Sequence, residues 1–485
     1  MLISAFDKIA LSNKDKVAIY GDCGSYTYGE LYEQSVQFAQ AIESAGLARR
    51  VSVAVESPSR GEFVAIYLAC ARLGICIVPI DTRLSEEELL VIIEDASPAG
   101  VITFSNEGNL SKALAGMPYR DSAVDIHSAC LLRVKEEILD NSLLQDGDLV
   151  IQYSSGSTGK PKGVVLSRDN IYHKIKNWNE TISANENDRY LNTLTLGHCY
   201  GLYVHTLSAI LAGAQVFMMD VNSVIPNRIT KIIKEEKISV FGSLPYMYQM
   251  FNRMSPASVD FSSVRYLISG SAPLSANTWE QFEEKFGRGI NQVYGLTEIG
   301  LIMFNVSNAN SGSIGQPTAN MEVLILDNEG RECPLGESGE MVVRCKSMSR
   351  GYLNNPHDQA SMFKNGWLYT KDIVKQAEAG NYEICGRISQ FINVSGNKVS
   401  PLEVEEHISR HPEVIECAVI GMRNENTIEQ VVAYVVKQEG SVISAKDIMV
   451  YSGSGLAKFK VPTKVLFIDM LPKSPLGKIL KAKLG

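Results

Sequence analysis

Eleven consecutive residues, Tyr153 to Gly163 (YSSGSTGKPKG), carry three serines, one threonine, three glycines and two lysines directly after the apolar run Leu149-Val150-Ile151. Hydroxyls, ammonium groups and backbone N–H donors at that density can surround a polyphosphate, because glycine lets the main chain turn with positive φ and approach a ligand closely. The segment is not a Walker A loop: Pro161 follows Gly159-Lys160, and no glycine stands five positions before Gly159. Read alone, it also fits a plain Gly/Ser surface loop. A second small-residue turn, Gly270-Ser271-Ala272-Pro273-Leu274, follows the strand-like VRYLIS and would let backbone lie against a flat ring. The chain has no GxSxG nucleophile elbow and no GxGxxG after a strand. His407 and His411 are spaced one helical turn apart, but nearby acids and the lack of a third ligand predict a solvated helix face.

YSSGSTGKPKG closely resembles the phosphate-binding signature of the adenylate-forming superfamily, which includes acyl- and aryl-CoA synthetases, peptide-synthetase adenylation domains and firefly luciferase. Five further segments recur in that superfamily's order, from about residue 150 to the carboxyl terminus. The resemblance implies an ATP-phosphate site at Ser154, Ser155, Gly156, Ser157, Thr158, Gly159, Lys160 and Lys162. It places adenine against Gly270, Ser271, Ala272 and Pro273, with Tyr294 of NQVYGLTE stacked on the ring beside Gly295. Thr297 would set a hydroxyl near the α-phosphate, and Glu298 would hold Mg²⁺, a hard cation that takes oxygen ligands. Asp372 in GWLYTKDI would grip the ribose hydroxyls, and Arg387 would contact the nucleotide. Lys478 in PKSPLGKILK matches the superfamily's catalytic lysine. An ammonium bridging carboxylate and α-phosphate stabilises charge developing in the transition state, by roughly 3 kcal/mol or more.

Three positions depart from the superfamily pattern. Lys371 stands where glycine is usual, so a different local backbone is expected. Ser389 occupies the interdomain hinge in place of the commoner Asp or Lys, and Asn393 replaces a lysine of many relatives, which disfavours luciferase-like oxidation. Gly396 falls in the loop that would face an incoming thiol. For the acid, LTLGHCYGLYVH places His198, Tyr200 and Gly201 where acyl- and aryl-CoA ligases carry a similar sequence. No Asp or Glu occurs between Leu191 and Val216, so an acid without an ammonium group is expected rather than an α-amino acid. His198 reads equally as a substrate contact or a structural histidine.

The implied reaction is activation of a fatty or aryl acid by MgATP to acyl-AMP, then thioester formation with coenzyme A. The other reading is a stand-alone adenylation enzyme that loads an acyl, aryl or amino acid onto the phosphopantetheine arm of an acyl or peptidyl carrier protein. A nucleotide-binding regulatory module without catalysis is disfavoured by the joint presence of Glu298, Asp372, Arg387 and Lys478.

The elements that must position these residues follow from length and pattern. A chain of 485 residues exceeds what one core supports, so at least two domains are expected. VSVAVESPSRGEFVAIYLACARLGICIVPID, from Val51, reads as strand, helix, strand, the grammar of a parallel α/β layer. Beyond Met321, MEVLILD, GEMVVRC and NYEICGR predict a smaller β element closing the large domain. The expected fold is α/β: a large multi-subdomain N-terminal domain (residues 1–386) and a small mobile α+β C-terminal lid (residues 387–485). The superfamily's logic has the lid rotate about Ser389, withdrawing Lys478 and presenting the Gly396 loop. A net charge of -8 gives no electrostatic reason to bind nucleic acid. Lys231 to Lys237 (KIIKEEK) reads as the wet face of a helix. Nine scattered cysteines without zinc spacing predict free thiols in a reducing compartment. With no signal-peptide pattern and no integral membrane segment of about 20 apolar residues, a cytoplasmic protein is expected.

Overall fold

A computed structural model describes residues 1–122, 130–137, 142–155, 161–307, 312–377, 380–394, 396–423, 429–473 and 479–484. The strand–helix–strand pattern after Val51 forms as strand Ser52–Glu56, helix Gly61–Leu73 and strand Cys76–Ile80, the two strands parallel with Val53 opposite Ile77. Every residue of both strands is buried, as unbroken apolar runs require when both faces of a sheet are covered. Their sheet runs in the order Gly351–Tyr352, Pro161–Ser167, Asp148–Ser155, Cys76–Ile80, Ser52–Glu56, Gly100–Thr103, Leu131–Lys135, Tyr119–Asp121.

A second, longer sheet holds the rest of the large domain. Its parallel half places Val17–Gly21, Gln215–Met218, Arg189–Asn192, Val240–Ser243, Tyr266–Ser269 and Asn291–Leu296 side by side. At Asn291–Leu296 the sheet turns antiparallel and continues through Gly300–Phe304 and Ser313–Pro317 into Tyr382–Arg387, Trp367–Gln376, Ser338–Arg344 and Glu322–Leu326. The β element expected after Met321 is therefore hydrogen-bonded onto this sheet through Ser313–Pro317 and Tyr382–Arg387. Two large sheets with flanking helices match the expected multi-subdomain α/β body.

After Arg387 comes a small α+β unit. Strands Val414–Arg423 and Glu429–Lys437 pair antiparallel, Lys464–Phe467 joins parallel, and helices Pro401–Ser409 and Ala445–Gly455 cover the sheet. Its own core includes Val404, Ile408, Val419, Val431, Ala433 and Ile448. It touches the large domain where Asn277 Nδ2 donates to Ser409 O (3.1 Å) and where Ser400 Oγ donates to Cys385 O (2.8 Å).

Helix Pro226–Glu236 buries Ile229, Ile232 and Ile233, leaving its lysines on the outer face. All nine cysteines are free, and no described helix is long and apolar enough to cross a membrane. The histidine expectation needs correction. The helix ends at Ser409, and both rings pack on Tyr451, with centroids 4.9 Å away for His407 and 4.8 Å for His411. His407 Nε2 also lies 3.2 Å from Tyr451 O, so these are half-buried packing residues; apolar contact with the second helix outweighs solvation.

Candidate active site

Strand Asp148–Ser155 carries Ser154 and Ser155 at its carboxyl end, and Pro161–Ser167 returns antiparallel, with Ser154 opposite Lys162 and Ser155 opposite Pro161. Gly156, Ser157, Thr158, Gly159 and Lys160 lie between these strands and outside the described residues, as does Lys478. Lys162, on the returning strand, pairs with Asp358 (Nζ–Oδ2 2.5 Å) and sits 6.0 Å above the ring of Tyr352. The Tyr352 hydroxyl donates to Glu298 Oε1 at 2.5 Å. The serine-rich strand pair and Glu298 thus share one neighbour, and the sequence offered no signal for Tyr352.

Glu298 and Thr297 occupy the turn between strands Asn291–Leu296 and Gly300–Phe304. Gly295 is forced here, because any Cβ would collide with the carbonyl oxygen of Gly300 across the bulged pair. The turn is pinned from outside: Ser349 N donates to Glu298 O (2.6 Å) and Ser347 Oγ to Ile299 O (2.7 Å). A further side chain missing from the sequence reading, Lys174 of helix Arg168–Thr181, donates from Nζ to the Thr297 carbonyl at 2.6 Å. Lys174 is 7% exposed; burial pushes its pKa down to about 8, opposed in part by Cys199 and Glu298. Apolar spacing places Lys174 on the buried helix face beside Ile171, Ile175 and Trp178, a position where a lysine needs a polar partner.

On the antiparallel side, Asp372 and Arg387 face each other across strands Trp367–Gln376 and Tyr382–Arg387. Asp372 is 7% exposed, accepts from the Tyr294 hydroxyl at 2.6 Å and lies 3.7 Å from Arg387 Nε. Burial and the Asp372 charge hold the Tyr294 phenol far above its ordinary pKa. Lys371 corrects the expectation of a changed backbone. It keeps the left-handed conformation (φ 64) that glycine favours, and Glu340 supports it by accepting from its backbone N–H (3.1 Å) and lying 3.7 Å from its ammonium.

Gly270 follows strand Tyr266–Ser269, and Ser271 turns with φ 68, leaving Ser271 and Pro273 exposed and Ala272 half-buried. The segment from His198 leads into a π-helical turn, Tyr200–Leu207. Gly201 packs its α-carbon face against the Thr195 carbonyl. His198 Nδ1 accepts from Tyr200 N at 3.3 Å, a structural bond, while Nε2 lies 3.9 Å from Cys199 Sγ. Cys199 Sγ in turn lies 4.0 Å from Thr297 Oγ1. Burial raises the Cys199 thiol, but His198 and Lys174 outweigh it and bring its pKa down to about 7. Ser389 is exposed in the short turn Ile388–Gln390, and Gly396 (φ 88) is exposed beside Asn397, its N–H bonded to Asn393 Oδ1 at 2.9 Å.

One strand pair, one turn and one antiparallel ladder therefore bring Lys162, Thr297, Glu298, Tyr294, Asp372 and Arg387 together. Residues 6–353 match the model of the AMP-binding enzyme family, and residues 403–478 match that of the AMP-binding enzyme C-terminal domain. The chain belongs to the AMP-binding enzyme family. It is 30% identical over 470 residues to the long-chain-fatty-acid–CoA ligase FadD13 of Mycobacterium tuberculosis, covering 94% of this chain and 92% of that one. It is 28% identical over 460 residues to an oxalate–CoA ligase of Arabidopsis thaliana, covering 91% and 89%. Among solved structures, ATP-bound MatB from Rhodopseudomonas palustris superposes with a TM-score of 0.86 at 27% identity, covering 100% of this chain and 98% of that one. The two relatives are named CoA ligases, and this chain is an AMP-forming ligase that uses ATP.

Proposed function

We propose that this enzyme joins a fatty or aryl carboxylic acid to ATP, releasing pyrophosphate to give acyl-AMP, and then transfers the acyl group to the thiol of coenzyme A. The observation that carries the reading is the Tyr294–Asp372–Arg387 cluster lying on the same sheet as the Thr297–Glu298 turn, which Tyr352 links to the strand of Lys162. Asp372, with one carboxylate oxygen bonded to Tyr294, can accept from ribose hydroxyls, and Gly270–Ser271 offers backbone to the adenine face. Arg387 and Lys162 supply positive charge to phosphate oxygens, together with the serine-rich segment and Lys478. Among the described residues no group of three or more His, Cys, Asp or Glu side chains could hold a metal. A single carboxylate at Glu298 completed by phosphate oxygens suits Mg²⁺, which would screen the phosphate charge against the incoming carboxylate. The division at residues 386 and 387, with Ser389 as hinge and Gly396 facing the thiol, belongs to the same proposal. Nine unpaired thiols support a reducing, cytoplasmic setting.

The relatives differ in the acids their names state, so the acid class here rests on the absence of Asp and Glu between Leu191 and Val216. Pyrophosphate release across fatty, aryl and amino acids, followed by trapping with coenzyme A or with a phosphopantetheinylated carrier protein, tests the proposal. Acid-dependent release with thioester formation on coenzyme A is expected. Transfer to a carrier alone would replace the coenzyme A reading with that of a carrier-loading enzyme.

A further inference from the structure

Resting on the adenylation reading, the structure also carries information about the far end of the acid. In a parallel sheet, ligands bind beyond the carboxyl ends of the strands. Strands Val240–Ser243 and Tyr266–Ser269 run parallel with Gly242 opposite Ile268 and Ser243 opposite Ser269, and both end beside the π-helical turn Tyr200–Leu207. Across those ends lie Tyr200 and His205, their rings edge to face with centroids 4.9 Å apart. Both reach Gly242, where a Cβ would collide with the His205 imidazole and stand 2.9 Å from the Tyr200 hydroxyl. Tyr200 also covers Gly270, its hydroxyl 3.4 Å from where a Cβ would stand. One residue before Tyr200, Cys199 meets the Thr297 hydroxyl. The turn therefore leads from the point where the carboxylate is activated into the interior.

The interior end is polar and unsatisfied. His205 is 0% exposed and Tyr200 4%, yet neither imidazole nitrogen nor the Tyr200 hydroxyl has a hydrogen-bond partner among the described residues. Buried polar atoms almost always find partners, and each one left alone is destabilising. Three such atoms on one turn that faces two strand ends point to a ligand group that completes them. Burial drives the His205 pKa down to about 3, so the neutral ring presents one donor and one acceptor. The Tyr200 hydroxyl can do either. An uncharged group that both donates and accepts matches this set, whereas a carboxylate or an ammonium would require a neighbouring counter-charge.

We propose that His205 and Tyr200 form a specificity pocket for a hydroxyl group on the tail of the acid, and that the substrate is a hydroxylated acid, aryl or aliphatic. The Tyr200 ring is the movable wall: the tail displaces it from its edge-on contact with His205, and the substrate hydroxyl takes up the imidazole and the phenol. A plain alkyl or aryl tail leaves the polar atoms unpaired and is selected against.

Pyrophosphate release measured with benzoate, butanoate and their monohydroxylated positional isomers tests this. With the unmodified enzyme, kcat/KM for the best hydroxylated acid should exceed that of its parent by about tenfold or more. His205→Leu and Tyr200→Phe should each bring that ratio to within about threefold. Equal or better turnover of the parent acids by the unmodified enzyme would overturn the proposal, as would retention of the ratio in both variants. Should His205→Leu fold poorly, Tyr200→Phe, which removes a single oxygen, supplies the comparison alone. Parent acids turned over with no hydroxyl preference would leave adenylation standing and remove only this pocket; no release from any acid would remove both.

Discussion

Replacement of Lys174 by methionine separates a role in catalysis from a role in folding. The ammonium donates to the Thr297 carbonyl at 2.6 Å, and methionine keeps the length of the chain while removing the charge. A hydrogen bond to a charged group contributes about 1.5–3 kcal/mol. If that bond holds the Thr297–Glu298 turn in the reactive geometry, its loss should lower the rate of acid-dependent pyrophosphate exchange by roughly 10- to 150-fold, at about 1.4 kcal/mol per factor of ten. Stability should not fall in parallel. The folded chain releases the Lys174 proton near pH 8, against an ordinary value of 10.5. Holding the charge below pH 8 therefore costs about 3 kcal/mol, at about 1.36 kcal/mol for each pH unit of that displacement. Because the unfolded chain binds this proton up to the higher pKa, stability gains from Lys174 as pH rises from about 8 to 10.5, and methionine removes that gain. Denaturation midpoints at pH 7.5 and 9.5 should show a variant at least as stable as the parent at the lower pH and a smaller rise between the two. Exchange rates within twofold of the parent, or a loss of stability matching the loss of rate, would refute the positioning role.

Tyr294→Phe should raise KM for ATP about tenfold with a smaller change in kcat, since it removes the 2.6 Å bond that orients Asp372; steady-state kinetics at saturating acid checks this. Glu298→Gln should slow adenylation in a way that excess Mg²⁺ partly restores, and a rate indifferent to Mg²⁺ would remove Glu298 as a metal ligand. Lys478→Ala should abolish pyrophosphate exchange while sparing thioester formation from a supplied acyl-adenylate, and equal loss in both assays would count against alternation of the lid.

Some of this protein was legible from residue order alone. Unbroken apolar runs such as Ser52–Glu56 announce strands buried on both faces, and Pro401 opens a helix wherever it is allowed at the first turn. The serine-rich segment stands out by its own composition, whereas the roles expected of Asp372 and of the turn at Glu298 come from the resemblance to a superfamily. Tyr352 and Lys174 were beyond that reading. Tyr352 reaches Glu298 across 54 positions, and Lys174 reaches Thr297 across 123, and no local periodicity encodes such a meeting. The left-handed Lys371 shows the same limit from the other side: a lysine there is unfavourable by its own propensity, and the Glu340 contacts that sustain it exist only after two strands have paired. Side-chain type and spacing decide which local structures can form and which chemistry is available. Burial and long-range contact decide which groups stand alone, which are paired and which change their proton affinity, because desolvation and Coulomb interaction depend on distance in space.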